Sequence, residues 1–170
     1  IQEGNTIESP TIAKQIGRAQ KQVEAHHYEA RKNLLEFDSI VAHQRRLFYA
    51  VRERVLYDGF EWRTWESDIQ DVGVTLSPDQ EQILDGLDPQ QGRLAFLHHW
   101  DLQWRAYLDR LTMVRQGIHL RGMAQQKPLQ EYQKEAVRLF AEMQRLAWEG
   151  AIAGSIGLGD SPQPSLSEPG

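Results

Sequence analysis

Six histidines, a scatter of carboxylates and one glycine-flanked cluster of cations are the residues here most able to do chemistry. The histidines fall as His26-His27, His43, His98-His99 and His119. Neighbours on a helix point about 100° apart, so neither adjacent pair can close on one ion. Cysteine is absent and no H-E-x-x-H spacing occurs, which leaves no metal-ligand set. The carboxylates between 79 and 88 read as a solvated surface rather than a catalytic pair. Glycines near the C-terminus lack the Lys-Ser/Thr ending of a phosphate loop, and no G-x-S-x-G element is present. The expectation is a chain with no catalytic residue, no bound cofactor and no metal.

The cation cluster is different. Residues 114–128 read VRQGIHLRGMAQQKP, placing Arg115, His119 and Arg121 just before Gly122, Met123 and Gln125. Gly117 and Gly122 loosen the backbone, and Pro128 can only begin a new helix. The stretch is therefore a turn between two helices. Two readings are open on pattern alone: a polar connection with one stray apolar residue, or a contact tip. In the second, a soft, polarizable Met touches many partners without preferring one.

The helices that would carry this turn are legible from periodicity. Leu97, Trp100, Trp104, Leu108, Leu111, Val114 and Ile118 make one apolar face from about Arg93 onward. After Pro128, Leu129, Tyr132, Ala136, Phe140, Met143 and Ala147 make another. Two such helices joined by a short turn pack antiparallel. Upstream, Ile12, Ile16, Ala19, Val23, Ala30, Leu34, Phe37, Val41, Phe48, Val51 and Val55 share a single face. Ser9-Pro10 reads as a start and Asp58-Gly59 as a stop, giving a helix about 70 Å long at ~1.5 Å per residue. Such a helix is either one strand of a coiled coil or a spine on which separate domains rest.

The remaining segments are weaker in pattern. Residues 58–92 are rich in turn signals, so a short helix after Pro78 and loop elsewhere are expected. From Gly150 onward Gly, Pro and Ser make up twelve of twenty-one residues, which reads as a disordered tail. Fold class is thus all-α. Its parts are 1–57, an N-terminal linker and long helix; 58–92, an acidic insert; 93–149, a helical hairpin; and 150–170, a flexible tail.

Charge is uneven along these parts. Residues 11–57 carry nine Lys+Arg against five Asp+Glu, residues 58–103 two against ten, and residues 104–149 eight against five. With a net charge of -5 and no dense basic face, nucleic acid is a poor partner. A mean hydropathy of -0.59 suggests a thin core. No apolar run approaches the ~20 residues of a membrane span, and no signal-peptide pattern opens the chain. A soluble protein of a reducing compartment is expected, and Ile1 in place of Met reads as a cut from a longer chain.

From Trp104 to Phe140, WRAYLDRLTMVRQGIHLRGMAQQKPLQEYQKEAVRLF resembles, without gaps, the two-helix finger of SecA, the bacterial preprotein translocase motor. The string RQGIHLRG followed by AQ and QEY is highly specific. Residues 7–46, with AQ-x-x-VE and R-K-x-L-L-E-[YF]-D stretches, resemble the long SecA scaffold helix. The resemblance covers roughly 7–57 and 97–147.

That resemblance implies a set of partners. The long helix would contact two nucleotide-binding folds and the preprotein cross-linking domain, all missing from this chain. The finger would meet a SecY-type channel and an unfolded preprotein, with Met123 at a tip position usually held by Tyr. ATP and Mg would act elsewhere in the parent motor, placing it in the cytoplasm at the inner face of the cell membrane. The acidic insert would be a reduced form of the family's wing, a feature of some accessory SecA proteins. Lys127 replaces a common Asp, and the tail lacks a Cys/His zinc motif. Self-association as a homodimer through the long stripe fits the same picture. The competing reading is a stand-alone helical adaptor that keeps the finger and lacks motor activity.

Overall fold

The computed structural model describes residues 10–58, 60–121 and 128–159, with backbone alone at the element ends Pro10, His119–Arg121, Leu158 and Gly159. Among the described residues five α-helices follow in order: α1 (Pro10–Tyr57), α2 (Glu66–Asp71), α3 (Pro78–Asp85), α4 (Pro89–Arg121) and α5 (Pro128–Gly159). A 3-10 turn at Trp62–Trp65 leads into α2. No strand occurs among the described residues, so the fold is all-α.

The chain divides into two units, residues 1–39 and 40–170. In the first, α1 keeps its stripe of Ile12, Ile16, Val23 and Leu34 exposed, along with Tyr28 and Leu35. Helix here is sustained by local propensity and the continuity of α1, because no side chain from 11 to 39 is buried.

The second unit is built on three helices. α4 and α5 run antiparallel, since Phe96 meets Trp148 at 4.5 Å between ring centroids while Tyr107 meets Phe140 at 5.7 Å. The last turns of α1 join them through Phe48, stacked 4.5 Å from Trp104 and 5.6 Å from Trp100. Phe48, Val55, Phe96, Trp100, Tyr107, Tyr132, Ala136 and Ala147 are almost fully enclosed. This core is not thin, contrary to what mean hydropathy suggests. Hydrophilic residues in the first unit and the insert pull the average down, while aromatic rings bury large area per residue.

The start of α4 and the face it buries differ from expectation. α4 begins at Pro89 rather than Arg93, because the Asp88 carboxylate accepts from Gln90 N at 3.1 Å and caps the helix. Gly92, in the stretch expected to be loop, is helical, and an added Cβ there would lie 2.9 Å from the Phe60 ring. The buried face of α4 is also rotated toward Phe96 and Tyr107, leaving Leu97, Leu108 and Val114 half-buried.

The insert is not mostly loop. Trp62, Trp65 and Ile69 stand three and four residues apart, so winding 62–71 into helix buries all three on one side. Gly73, at φ +80°, closes α2: Gly73 N donates to Gln70 O and Val74 N to Ile69 O, the Schellman pattern. Ser77 and Gln80 form a capping box at α3, where a short helix is expected.

The tail is corrected most. Instead of giving way to disorder at Gly150, α5 continues through 150–159, with Ala151, Ile152 and Ser155 buried. Its glycines are seats rather than breaks. His99 of α4 lies against them, so that an added Cβ would collide with His99 Nδ1 at Gly150 and lie 3.2 Å from Nε2 at Gly154.

Candidate functional site

The hairpin of α4 and α5 is the site that sequence points to, and its geometry is set by what locks the two helices together. Near the base, Trp65, Phe96, Trp148 and Phe60 form an aromatic cluster with centroid separations of 4.5–6.5 Å. Midway, Gln44 of α1 ties all three helices. Its Nε2 donates to Ala136 O of α5 at 3.0 Å, and its Oε1 accepts from the Tyr107 hydroxyl of α4. Burial pushes the Tyr107 phenol well above its ordinary value, with Tyr132 adding to the shift and the Gln44 contact opposing it. Further out, Leu111, Ile118 and Tyr132 stay buried.

Ion pairs flank this core. Arg52 Nε donates to Asp101 Oδ1 at 2.9 Å between α1 and α4. Arg110 bridges α4 to Glu142 of α5 with a two-pronged contact at 2.9 and 3.2 Å. Arg110, together with Arg138, holds the Glu142 carboxyl below the usual carboxylate range. Exposed or half-exposed pairs like these add about 0–1 kcal/mol each, so stiffness comes mainly from the buried rings and the Gln44 tie.

Of the tip residues, Arg115 sits half-buried on α4. His119 and Arg121 belong to its last turn, their side chains outside the described residues, as are Gly122, Met123 and Gln125. α4 ends at Arg121 and α5 begins at Pro128, so the expected turn falls between two helices of 33 and 32 residues. The paired histidines do not converge: the rings of His98 and His99 are perpendicular, at 88°. Among the described residues no group of three or more His, Cys, Asp or Glu could hold a metal ion. Sequence reading missed the Gln44 tie and the His99 notch. A polar residue on an otherwise apolar face was the available signal for Gln44, and the G-x-x-x-G of Gly150 and Gly154 for the notch.

Comparison with known proteins decides the family. The sequence profile of the SecA Wing and Scaffold domain matches residues 6–83 and 77–153. The chain belongs to the SecA family. It is 30% identical to the protein translocase subunit SecA of Nitrosomonas eutropha, over 83% of this chain and 22% of that protein. A SecA from Xanthomonas oryzae pv. oryzae is also 30% identical, over 84% of this chain and 22% of its own length. That of Xylella fastidiosa M12 is 29% identical over the same shares. The chain therefore spans about a fifth of the length of the SecA relatives it matches. The first alignment runs to 202 positions yet takes in 83% of these 170 residues, so roughly 60 positions are present in the relative and missing here. The profile matches as two separate segments, which overlap at 77–83 within the insert.

Proposed function

We propose that this chain is the scaffold and two-helix finger of a SecA-type, ATP-driven protein translocase, and that its finger tip contacts the preprotein and a SecY-type channel during export. The observation that carries the reading is the hairpin itself. α4 and α5 stay locked from Phe96–Trp148 to the buried Ile118, which lies within the family-specific string that leads to the tip. A stiff pair of helices transmits displacement to its end, whereas a loose pair would absorb it.

The exposed stripe of 11–39 supports a spine for other domains, since monomeric proteins seldom leave so many large apolar residues in water. Those domains would bind ATP and Mg, and this chain's own residues would supply no phosphate contact. The family profile matches as two separate segments that meet within the insert, which supports a reduced wing. No helix among the described residues is long and apolar enough to cross a membrane, so association with the membrane would run through the channel.

The test is translocation into vesicles carrying the cognate channel, driven by the motor that contains this segment. Met123→Tyr and Met123→Leu should keep transport. Met123→Gly and Met123→Asp should impair it, with helicity and substrate-free ATP turnover unchanged. Transport by Met123→Asp at the parent's rate would reduce the tip to a connection.

A further inference from the structure

The insert has a feature that its packing role leaves unused. A cavity of about 300 Å³ opens between the 3-10 turn and the start of α4, walled by Phe60, Trp62, Leu84, Leu87, Pro89 and Gly92. A second, of about 370 Å³, shares Phe60, Glu61 and Pro89 with the first and reaches Asp58 and Trp65. Through these shared residues the two cavities lie side by side, the first walled mainly by apolar side chains and the second also by Arg54, Asp58 and Thr64.

The rim is negative. Residues 58–92 hold nine Asp+Glu and one Arg. Both cations at the groove are already engaged. Arg63 donates to Asp85 at 2.8 Å while its guanidinium lies 4.8 Å from the Trp62 ring centre. Arg54 lies 4.1 Å from the Trp65 ring centre and 3.9 Å from Asp68. Asp58, Glu61 and Asp88 make no ion pair among the described residues, although Asp88 also caps α4. Their charge is left facing solvent around an apolar floor.

That pairing of charge and shape selects its occupant. Phosphates, nucleic acid and anionic lipid would meet like charge without a compensating cation. An inorganic cation finds no cluster of ligands, and a groove this open would leave a small molecule mostly in water. The space suits one or two large side chains. We propose that the groove docks a basic, apolar polypeptide segment. A Leu or Phe side chain would lie against Trp62, Leu84 and Leu87, and flanking Lys or Arg would face Asp58, Glu61 and Asp88. The proposal stands apart from the finger tip and does not depend on it.

The probe is a dye-labelled peptide, Lys-Leu-Phe-Lys-Leu-Lys, titrated into the full chain by anisotropy, with the Trp62 indole N–H followed by NMR. Saturable binding that moves the Trp62 signal is expected. The Glu61→Gln, Asp88→Asn pair keeps the helix cap and should weaken binding roughly tenfold at unchanged Tm. Raising salt from about 50 to about 300 mM should weaken it similarly. Leu87→Arg should abolish it. Equal affinity for a Glu-for-Lys peptide, unchanged affinity in the double variant, a silent Trp62, or a Trp62 shift with anionic vesicles would each overturn the proposal.

Discussion

Gln44 offers the sharpest test of how the finger is held. It is 4% exposed, its partner Tyr107 is 2% exposed, and Ala136 is fully enclosed. A carbonyl can only accept, so the Gln44 amide nitrogen must face Ala136 O and its oxygen must face Tyr107. The Tyr107 hydroxyl is thereby the donor. Gln44→Leu keeps much of the volume but leaves that hydroxyl buried without an acceptor. Ala136 O loses less, because a helical carbonyl still accepts within α5. One orphaned buried hydroxyl costs about 1–3 kcal/mol. A loss of about 2 kcal/mol corresponds to roughly 8 °C in Tm for a unit of this size.

Tyr107→Phe, the reciprocal change, orphans the Gln44 oxygen and should cost about 1–2 kcal/mol. The double variant has no orphan. Replacing both partners by apolar groups of similar shape is nearly neutral, so the double change should cost less than the two single changes summed, by at least ~1 kcal/mol. Urea unfolding of the four proteins, with the slope m checked for constancy, measures this coupling. If the double variant equals the sum of the singles within about 0.3 kcal/mol, Gln44 and Tyr107 are independent and the tie is only a contact.

Two more outcomes rest on the same packing. Burial, and secondarily His98, holds His99 below its ordinary 6.5, so the unfolded chain takes up the proton first. Stability should therefore be intact above pH 6.5 and fall as pH drops through the lower folded value; comparison of urea midpoints for the parent and His99→Gln checks this, the variant losing that slope. Amides of residues 11–38 should exchange with deuterium at rates near those of an isolated helix, while those at Phe48, Phe96 and Tyr132 exchange only on global unfolding; equal protection would show that the first unit is buried in solution.

The sequence made some of these features readable and hid others, for identifiable reasons. α1 and α5 announce themselves because their apolar residues repeat every three or four positions and Pro10 and Pro128 mark both starts. α4 is harder. Its apolar residues include Leu94, Leu102 and Met113, all exposed, so the pattern blurs and the true face of Phe96 and Tyr107 is displaced from the apparent one. Residues 62–71 escape because a 3-10 turn and a six-residue helix give too few repeats for periodicity to register. Tertiary contacts, among them those of Trp65 with Phe96 and Trp148, hold them in place.

Glycine misleads at the other end for a reason that bears on the finger. In isolation, GAIAGSIGLG has every property of a flexible tail, since each Gly destabilises a helix by about 1 kcal/mol relative to Ala. Helix persists because Gly150 and Gly154 admit the His99 ring closer than any side chain would allow, and because Ala151, Ile152 and Ser155 are buried in consequence. The candidate site is the reverse case. Its residues were recognisable from a specific string, yet the property that would let them work, a hairpin locked along its length, lies largely in Gln44, which no motif marks. A contact tip needs only exposed chemistry, whereas a tip that moves a partner needs the core beneath it.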